Sequence, residues 1–281
     1  MKILISGTAL VAVFVLQVSA ATISLPVSGS ANIFGAGQTT PPAPGGGGGG
    51  LPPALNGFSA RPDRVITFSS VSGTISLTPG LGVFSGPDGN PSFPTDISSF
   101  GGLAGIRSDS SGFLAGVFLG PTAPSDPTLP VLDFRSTALG TSFLTLAPQL
   151  GQVFFIGDGL TGTGSGTVQQ FFAPSTATRL YLGFADAVGY EGLPGQYQDN
   201  LGTLNVTVQI VPEPGIWVLF GLGFLCWYAW VANHAPQPHE SRDDPSAVSE
   251  QCIKRSGARR YLSKTLQSFS SSPRVHRRPM V

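Results

Sequence analysis

Short apolar, β-branched stretches recur through the middle of the chain, and each is bounded by Gly or Pro. This is the pattern of β-strands separated by turns. One continuous apolar run, Phe113 to Gly120, has the composition of a strand that is buried on both faces. The other predicted strands begin at Arg64, Gly73, Gln152, Thr167, Thr178 and Gly202. Strands at this spacing predict an all-β fold, an antiparallel β-sandwich or jelly roll over residues 61–210.

Two longer apolar segments lie outside this region, one near each end of the chain. Residues 1–20 contain Lys2, an apolar run and a small-residue site ending at Ala20, which is the pattern of a cleaved secretory signal peptide. An uncleaved N-terminal anchor is the alternative, although the run is short for a membrane span. Residues 216–232 form a stretch of seventeen residues without a charge. As a helix they would extend about 25 Å, the short end of what crosses a bilayer.

The aromatic residues of this second segment support a membrane location. Its Trp and Tyr residues lie near its ends, where such rings favour the membrane interface. They are Trp217, Trp227, Tyr228 and Trp230. A buried core helix is the alternative, but the segment lacks the polar face that most core helices have. We therefore predict a single C-terminal transmembrane helix within residues 211–232.

Charge is distributed unevenly along the chain. Residues 21–211 contain five Arg, no Lys and ten Asp or Glu, whereas the part from Ala232 onward contains nine Lys or Arg and four Asp or Glu. An acidic region argues against nucleic-acid binding, which needs basic surfaces. A basic flank beside a span is typical of the cytoplasmic side. We expect residues 21–211 to be outside the cytoplasm and residues 233–281 to form a disordered basic tail.

The distribution of Cys and His limits the chemistry of the β-strand region. Both cysteines and all three histidines follow residue 211. Disulfides, thiol nucleophiles, Ser-His-Asp triads and His-ligated zinc are therefore excluded there. We predict that the chain is not an enzyme. A glycan hydrolase remains an alternative, with Glu191 paired with Asp186 or Asp199.

Two glycine-rich segments carry further predictions. Residues 35–57 include six consecutive glycines and several prolines, which predicts a linker or disordered loop within an N-terminal segment at residues 21–60. Residues 157–166 contain five glycines. No Lys follows them, as a phosphate-binding loop would require, so they predict a turn between strands.

The motif Val211, Pro212, Glu213, Pro214 and Gly215, followed directly by the apolar segment, resembles the PEP-CTERM sorting signal. Two prolines keep such a motif extended and accessible. Proteins of that family are exported by Gram-negative bacteria that make exopolysaccharide. The resemblance implies that a membrane-embedded exosortase recognises the motif and processes or transfers the chain.

A second resemblance covers residues 173–208. The stretch from Ala173 to Asp186, and the stretch from Leu193 to Val208, are similar to the C-terminal half of bacterial galactose-specific calcium lectins. Those lectins are jelly rolls of the galactose-binding-like type. The resemblance implies a saccharide-binding β-sandwich that also binds calcium.

The same resemblance implies the calcium ligands. They are Asp186, Asp199 and Asn200, with the backbone carbonyl of Gln196. Asp186 ends one predicted strand and Asp199 precedes another, so an antiparallel pair of these strands would bring the side chains together. The chain departs from the family by six additional residues, 187–192, and by the lack of the sugar-contacting His. These departures favour a retained structural calcium ion without galactose specificity.

The leading hypothesis is therefore an exported, exosortase-sorted protein of the cell surface or extracellular matrix that binds saccharide or exopolysaccharide. The first alternative is a purely structural matrix protein without a ligand. The second is the glycan hydrolase described above.

Overall fold

The computed structural model describes residues 20–56, 64–126 and 128–211, together with Gly223, Cys226, Trp227 and Trp230. We call the described residues between 20 and 211 the β region. It contains sixteen strands and four short 3₁₀ helices, and no α-helix is found within it. The predicted all-β fold is confirmed.

In chain order the strands are β1 (Ala21–Ser28), β2 (Ala54–Asn56), β3 (Arg64–Thr78), β4 (Val83–Ser85), β5 (Thr95–Ile97), β6 (Ile106–Ser108), β7 (Ala115–Leu119), β8 (Leu132–Phe134), β9 (Thr145–Leu146), β10 (Val153–Phe155), β11 (Leu160–Gly162), β12 (Ser165–Val168), β13 (Gln170–Ala173), β14 (Arg179–Gly183), β15 (Glu191–Gly192) and β16 (Leu201–Val211). The 3₁₀ helices span Ile33–Gly35, Pro79–Leu81, Val188–Tyr190 and Tyr197–Asp199.

The largest sheet has the strand order β1-β16-β3-β13-β9, with β4 beside β3. Its long strands β3 and β16 are rich in Val, Ile and Thr, whose branched side chains suit a pleated surface. They pair antiparallel from Ser76 opposite Leu201 to Val65 opposite Val211. This sheet therefore forms along two of the strands that the sequence predicts most clearly.

The N-terminal segment belongs to this sheet and is not separate from it. Strand β1 pairs antiparallel with β16 along its whole length, from Ala21 opposite Ile210 to Ser28 opposite Thr203. Val27, Ile33 and Phe34 are completely buried in the core. The predicted boundary at residue 60 is therefore wrong, because residues 20–56 contribute two strands, β1 and β2, and core side chains to the β region.

Two four-stranded sheets and one hairpin complete the β region. Their orders are β10-β7-β14-β2 and β15-β5-β6-β8, and β11 pairs with β12. The pairs β9–β13, β5–β15 and β6–β8 are parallel, whereas the other pairs are antiparallel. All five residues of β7 are buried, which agrees with its continuous apolar sequence. Strands β14 and β16 lie in different sheets, so the predicted direct pairing between them is wrong.

Phenylalanine rings join the largest sheet to the sheet that contains β7. The ring of Phe154 on β10 lies 5.4 Å from that of Phe171 on β13. Phe118 on β7 stacks on Phe154 at 5.2 Å, and Phe68 on β3 meets Phe171 edge-on at 5.3 Å. All four side chains are buried. Replacing one such buried ring by Ala typically lowers the free energy of unfolding by about 3–5 kcal/mol. The ring contacts therefore fix the two sheets relative to each other.

The six-glycine run, residues 45–50, packs tightly against a second backbone segment. The N–H of Gly45 donates to Pro194 O at 3.0 Å, and the N–H of Tyr197 donates to Gly47 O at 2.7 Å. A Cβ on Gly49 would lie 2.4 Å from the Cβ of Tyr197. The predicted linker is thus wrong for these residues. They lack side chains because two backbones approach closely here, which composition alone does not distinguish from flexibility.

The C-terminal predictions fall largely outside the described residues. Gly223, Cys226, Trp227 and Trp230 are helical. Among the described residues, no helix is both long enough and apolar enough to cross a membrane. Most of the predicted span, residues 216–232, lies outside the described residues. The predicted signal peptide and basic tail lie outside the described residues, except for Ala20.

Candidate functional site

The sequence-predicted site centres on the carboxyl group of Asp186, which follows β14. This side chain is only 1% exposed. Its Oδ2 accepts a hydrogen bond from Asn200 Nδ2 at 2.9 Å, and its Oδ1 accepts one from the N–H of Ala187 at 2.8 Å. Asn200 lies immediately before β16, fourteen residues further along the chain. The structure therefore brings two of the four predicted calcium ligands into direct contact.

Tyr197 closes this site from one side. Its side chain is fully buried, and its hydroxyl oxygen accepts the backbone N–H of Asp186 at 2.9 Å. Gly49 of the glycine run lies directly against Tyr197, and both Tyr197 and Asp186 are almost completely buried, so little water reaches the carboxyl group. Burial raises the pKa of Asp186 to about 8, although the hydrogen bonds from Asn200 and Ala187 oppose the rise. The carboxylate of Asp199 raises that pKa further by repulsion.

Asn200 presents a polar atom whose hydrogen bonding is incomplete. Its Nδ2 also donates to Gly29 O at 3.3 Å, but its buried Oδ1 has no hydrogen-bond partner among the described residues. An unpaired buried carbonyl oxygen costs about 1–3 kcal/mol. A half-turn of the amide exchanges its oxygen and nitrogen, which would place two oxygen ligands side by side at Asp186.

The other two predicted ligands are placed differently. Asp199 is exposed to solvent. Gln196 adopts the left-handed conformation, with φ of 68°, and its N–H donates to Gly46 O at 2.7 Å. The glycine run thus fixes the backbone whose carbonyl was predicted to bind calcium. Of the three hydrolase candidates, Asp186 is buried, whereas Glu191 and Asp199 are exposed.

The donor set fits a calcium ion better than a transition metal. Within the described residues there is no group of three or more His, Cys, Asp and Glu side chains that could hold a metal. A cation at Asp186 would therefore rely on one or two carboxylates, the Asn200 amide oxygen and backbone carbonyls. Such all-oxygen shells are typical of Ca²⁺.

A second feature, which the sequence did not reveal, is a cleft of about 680 Å³. We call it the polar cleft. It lies among the loop before β5, the end of β6, the loop after β8 and the β11–β12 hairpin. Six of its lining residues are Asp88, Asp109, Ser136, Thr141, Phe143 and Thr161. These residues come from loops far apart in the chain, so no local motif marks the cleft.

The two carboxyl groups of the polar cleft have different environments. Asp88 Oδ1 accepts the N–H of Asp158 at 3.0 Å, but partial burial outweighs this bond and raises the pKa of Asp88. Asp109 Oδ2 accepts the N–H of Ser136 at 2.7 Å, and this bond lowers the pKa of Asp109. The predicted turn at residues 157–166 forms the β11–β12 hairpin on one wall.

Comparison of the chain with protein-family models, curated proteins and solved structures finds no match. Of the predicted sorting motif, Val211 is the last residue of β16, whereas residues 212–215 lie outside the described residues.

Proposed function

We propose that this chain is an exported surface or extracellular-matrix protein that binds saccharide through a calcium-stabilised β-sandwich. It acts by binding and not by catalysis. The carrying observation is the buried pair of Asp186 and Asn200, a carboxyl group and an incompletely bonded amide held together where water is largely excluded. With the Asn200 amide turned so that its oxygen faces Asp186, a cation would bind both groups at once.

In this proposal the ion has a structural role. Asp186 and Asn200 supply side-chain oxygens, Asp199 contributes charge nearby, and the carbonyl of Gln196 completes part of the shell. The bound ion would join the end of β14 to the start of β16, which lie in different sheets. We also infer that these sheets face each other as a sandwich, which the contacts between Phe154 and Phe171 support.

Export and sorting are part of the same proposal. Residues 1–20 direct the chain out of the cytoplasm, residues 216–232 anchor it in the membrane, and an exosortase acts at the Val211–Gly215 motif. The support is the sequence pattern: an N-terminal leader, an acidic middle region and a Pro-Glu-Pro motif before an apolar segment.

A panel of immobilised saccharides tests the binding function directly. The full chain, purified in detergent, is expected to be retained by at least one saccharide in calcium and less strongly after chelation. If no saccharide retains the calcium-loaded chain, the binding proposal is wrong and a purely structural matrix role is favoured.

A further inference from the structure

We propose that the polar cleft is the saccharide-binding site of this chain and that its ligand is an uncharged saccharide. This inference rests on the saccharide-binding function proposed above and gives that function a place. Neither Asp186 nor Asn200 lines the cleft, so the ion and the saccharide occupy separate sites.

The size of the cleft suits such a ligand. Pockets that hold small organic ligands typically measure about 300–1,000 Å³, and the polar cleft, at about 680 Å³, falls within that range. It combines an aromatic floor with hydroxyl and carboxyl groups, and this mixture matches a molecule that has both apolar and polar surfaces.

The floor consists of phenylalanine rings. Phe134 lies 5.8 Å from Phe143 and 5.9 Å from Phe155, measured between ring centroids, and all three line the cleft. The face of an aromatic ring carries negative charge density, and the C–H groups of a sugar ring carry weak positive charge. Phe134 and Phe155 are only 1% and 2% exposed, whereas Phe143 is partly exposed. The apolar face of a pyranose ring can therefore pack against Phe143, which the two buried rings support from beneath.

The walls of the cleft supply hydroxyl and carboxylate groups that can form hydrogen bonds with the hydroxyl groups of a sugar. Ser136, Thr141 and Thr161 provide hydroxyl groups that both donate and accept. Asp88 and Asp109 provide carboxylates, which accept strong hydrogen bonds from the hydroxyl groups of a sugar. Each of these carboxylates already receives one backbone N–H, which holds it in place for a second bond.

Charge determines which saccharides fit. No Lys, Arg or His is found among the described residues that line the cleft. Asp88 also experiences repulsion from the neighbouring Asp158. The guanidinium of Arg135 acts on Asp109 from outside the lining, but it is paired with Asp133. A uronate, sulfate or phosphate group would therefore meet carboxylates in the cleft and a cation that is already paired, which opposes binding. The cleft therefore favours neutral sugars over acidic ones.

Gln169 and Asp158 hold two walls of the cleft in position through hydrogen bonds to backbone groups. Gln169 is fully buried, and its Nε2 donates to the carbonyl oxygens of Thr141 at 2.8 Å and Phe143 at 2.9 Å. Asp158 accepts the N–H groups of Leu160 at 2.8 Å and Gly164 at 2.6 Å, which fixes the β11–β12 hairpin. Preorganised walls reduce the entropy that a ligand must remove on binding.

Calorimetric titration of the full chain with matched neutral and uronic-acid oligosaccharides tests the proposal. Asp109→Asn removes the charge of an exposed carboxylate, and Ser142→Trp fills the cleft from an exposed lining position. Asp109→Asn should weaken binding of the neutral oligosaccharide by about tenfold or more, since a lost charged hydrogen bond has that effect. Ser142→Trp should weaken the same binding because the indole ring occupies the space that the ligand needs. Asp126→Asn is the matched control, because Asp126 is also exposed and accepts one backbone N–H at 2.8 Å, from Thr128, yet does not line the cleft.

The outcomes separate this inference from the function on which it rests. Binding that weakens in both cleft variants but not in the control supports the cleft. Saccharide binding that both variants leave unchanged overturns the cleft as the site and leaves the binding function standing. Preference for the uronic-acid oligosaccharide overturns the neutral specificity. Absence of binding to either oligosaccharide, and to the wider panel, overturns the binding function as well.

Discussion

Asp186 is a buried carboxyl group that contacts the side chain of Asn200. By its position it is an ordinary acidic residue at the end of a strand, where exposure to water is the common outcome. The fold instead places it beside Tyr197 and beneath the glycine run, with Asn200 as its side-chain partner. Burial, and not the neighbouring Asp199, is the largest cause of its raised pKa.

This burial predicts a pH dependence of stability in the absence of calcium. The pKa of Asp186 rises from 3.8 to about 8, so the native state holds the proton more tightly than the unfolded state does. The stability that the protonated Asp186 contributes to the native state is fully present below about pH 4. It is lost as the pH rises through about 8. Urea unfolding in chelator should therefore show falling stability over this interval.

Asp186→Asn is the matched variant for that experiment, because it keeps the shape of the side chain and cannot ionise. The pKa of Asp88 is also raised, so part of the pH dependence of stability should persist in the variant. If wild type and variant lose stability in parallel between pH 4 and pH 8, the assignment to Asp186 is wrong.

At the level of the elements, sequence patterns predicted β3, β7, β14 and β16 and also the three-residue β10, but they missed the eight-residue β1 and most of the short strands. The stretches beginning at Arg64 and Gly202 became β3 and β16, because their β-branched residues extend over many positions. Strands β9 and β15 have two residues each, which is too few to show a periodicity. Tertiary packing creates them, so the local sequence could not reveal them.

Of the two candidate sites, the pair of Asp186 and Asn200 was predicted from the sequence, whereas the polar cleft was not. The prediction that Asp186 and Asn200 meet rested on the resemblance to calcium lectins and on a direct pairing of β14 with β16. The two side chains do meet, although that pairing is wrong, because the ends of two different sheets come together there. The polar cleft could not be predicted, because Asp88, Asp109 and Ser136 come together only when three loops are folded. Side-chain types were visible in the sequence, but their proximity was not.

The close packing of the glycine run predicts how a substitution within it changes the stability of the protein. Gly49→Ala should destabilise the protein strongly, since the new Cβ would meet Tyr197 at 2.4 Å and φ is +64°. Gly140→Ala is the control, because Gly140 has a similar φ of +68° and no atom within 4 Å of its Cβ position. The backbone strain alone costs about 1–2 kcal/mol. Urea unfolding should show that Gly49→Ala lowers the free energy of unfolding by more than this amount. If both variants lower it equally, the glycine run is not tightly packed.

In the whole molecule, the proposed sorting motif lies between the acidic β region and the apolar segment at residues 216–232. Strand β16 ends at Val211, where the motif begins, so the folded region and the motif are directly adjacent. This arrangement would present the motif close to the membrane face on which an exosortase acts.

Glu213→Ala tests the sorting proposal in the native host. The substitution removes the acidic residue between the two prolines and leaves the β region unchanged. The variant should differ from wild type in mature size or in release to the surface, as judged by immunoblots of membrane and released fractions. Identical size and location of the two proteins would contradict sorting through this motif.

The most direct test of the central claim is the effect of calcium on the melting temperature of the full chain. A hundredfold excess of calcium over its dissociation constant should stabilise the native state by about 2.7 kcal/mol. For a protein of this size that corresponds to a rise of about 5–10 °C. Asp186→Asn should abolish the rise, whereas Asp126→Asn should retain it. A melting temperature that neither calcium nor chelator changes would contradict the ion site and the calcium-stabilised fold proposed here.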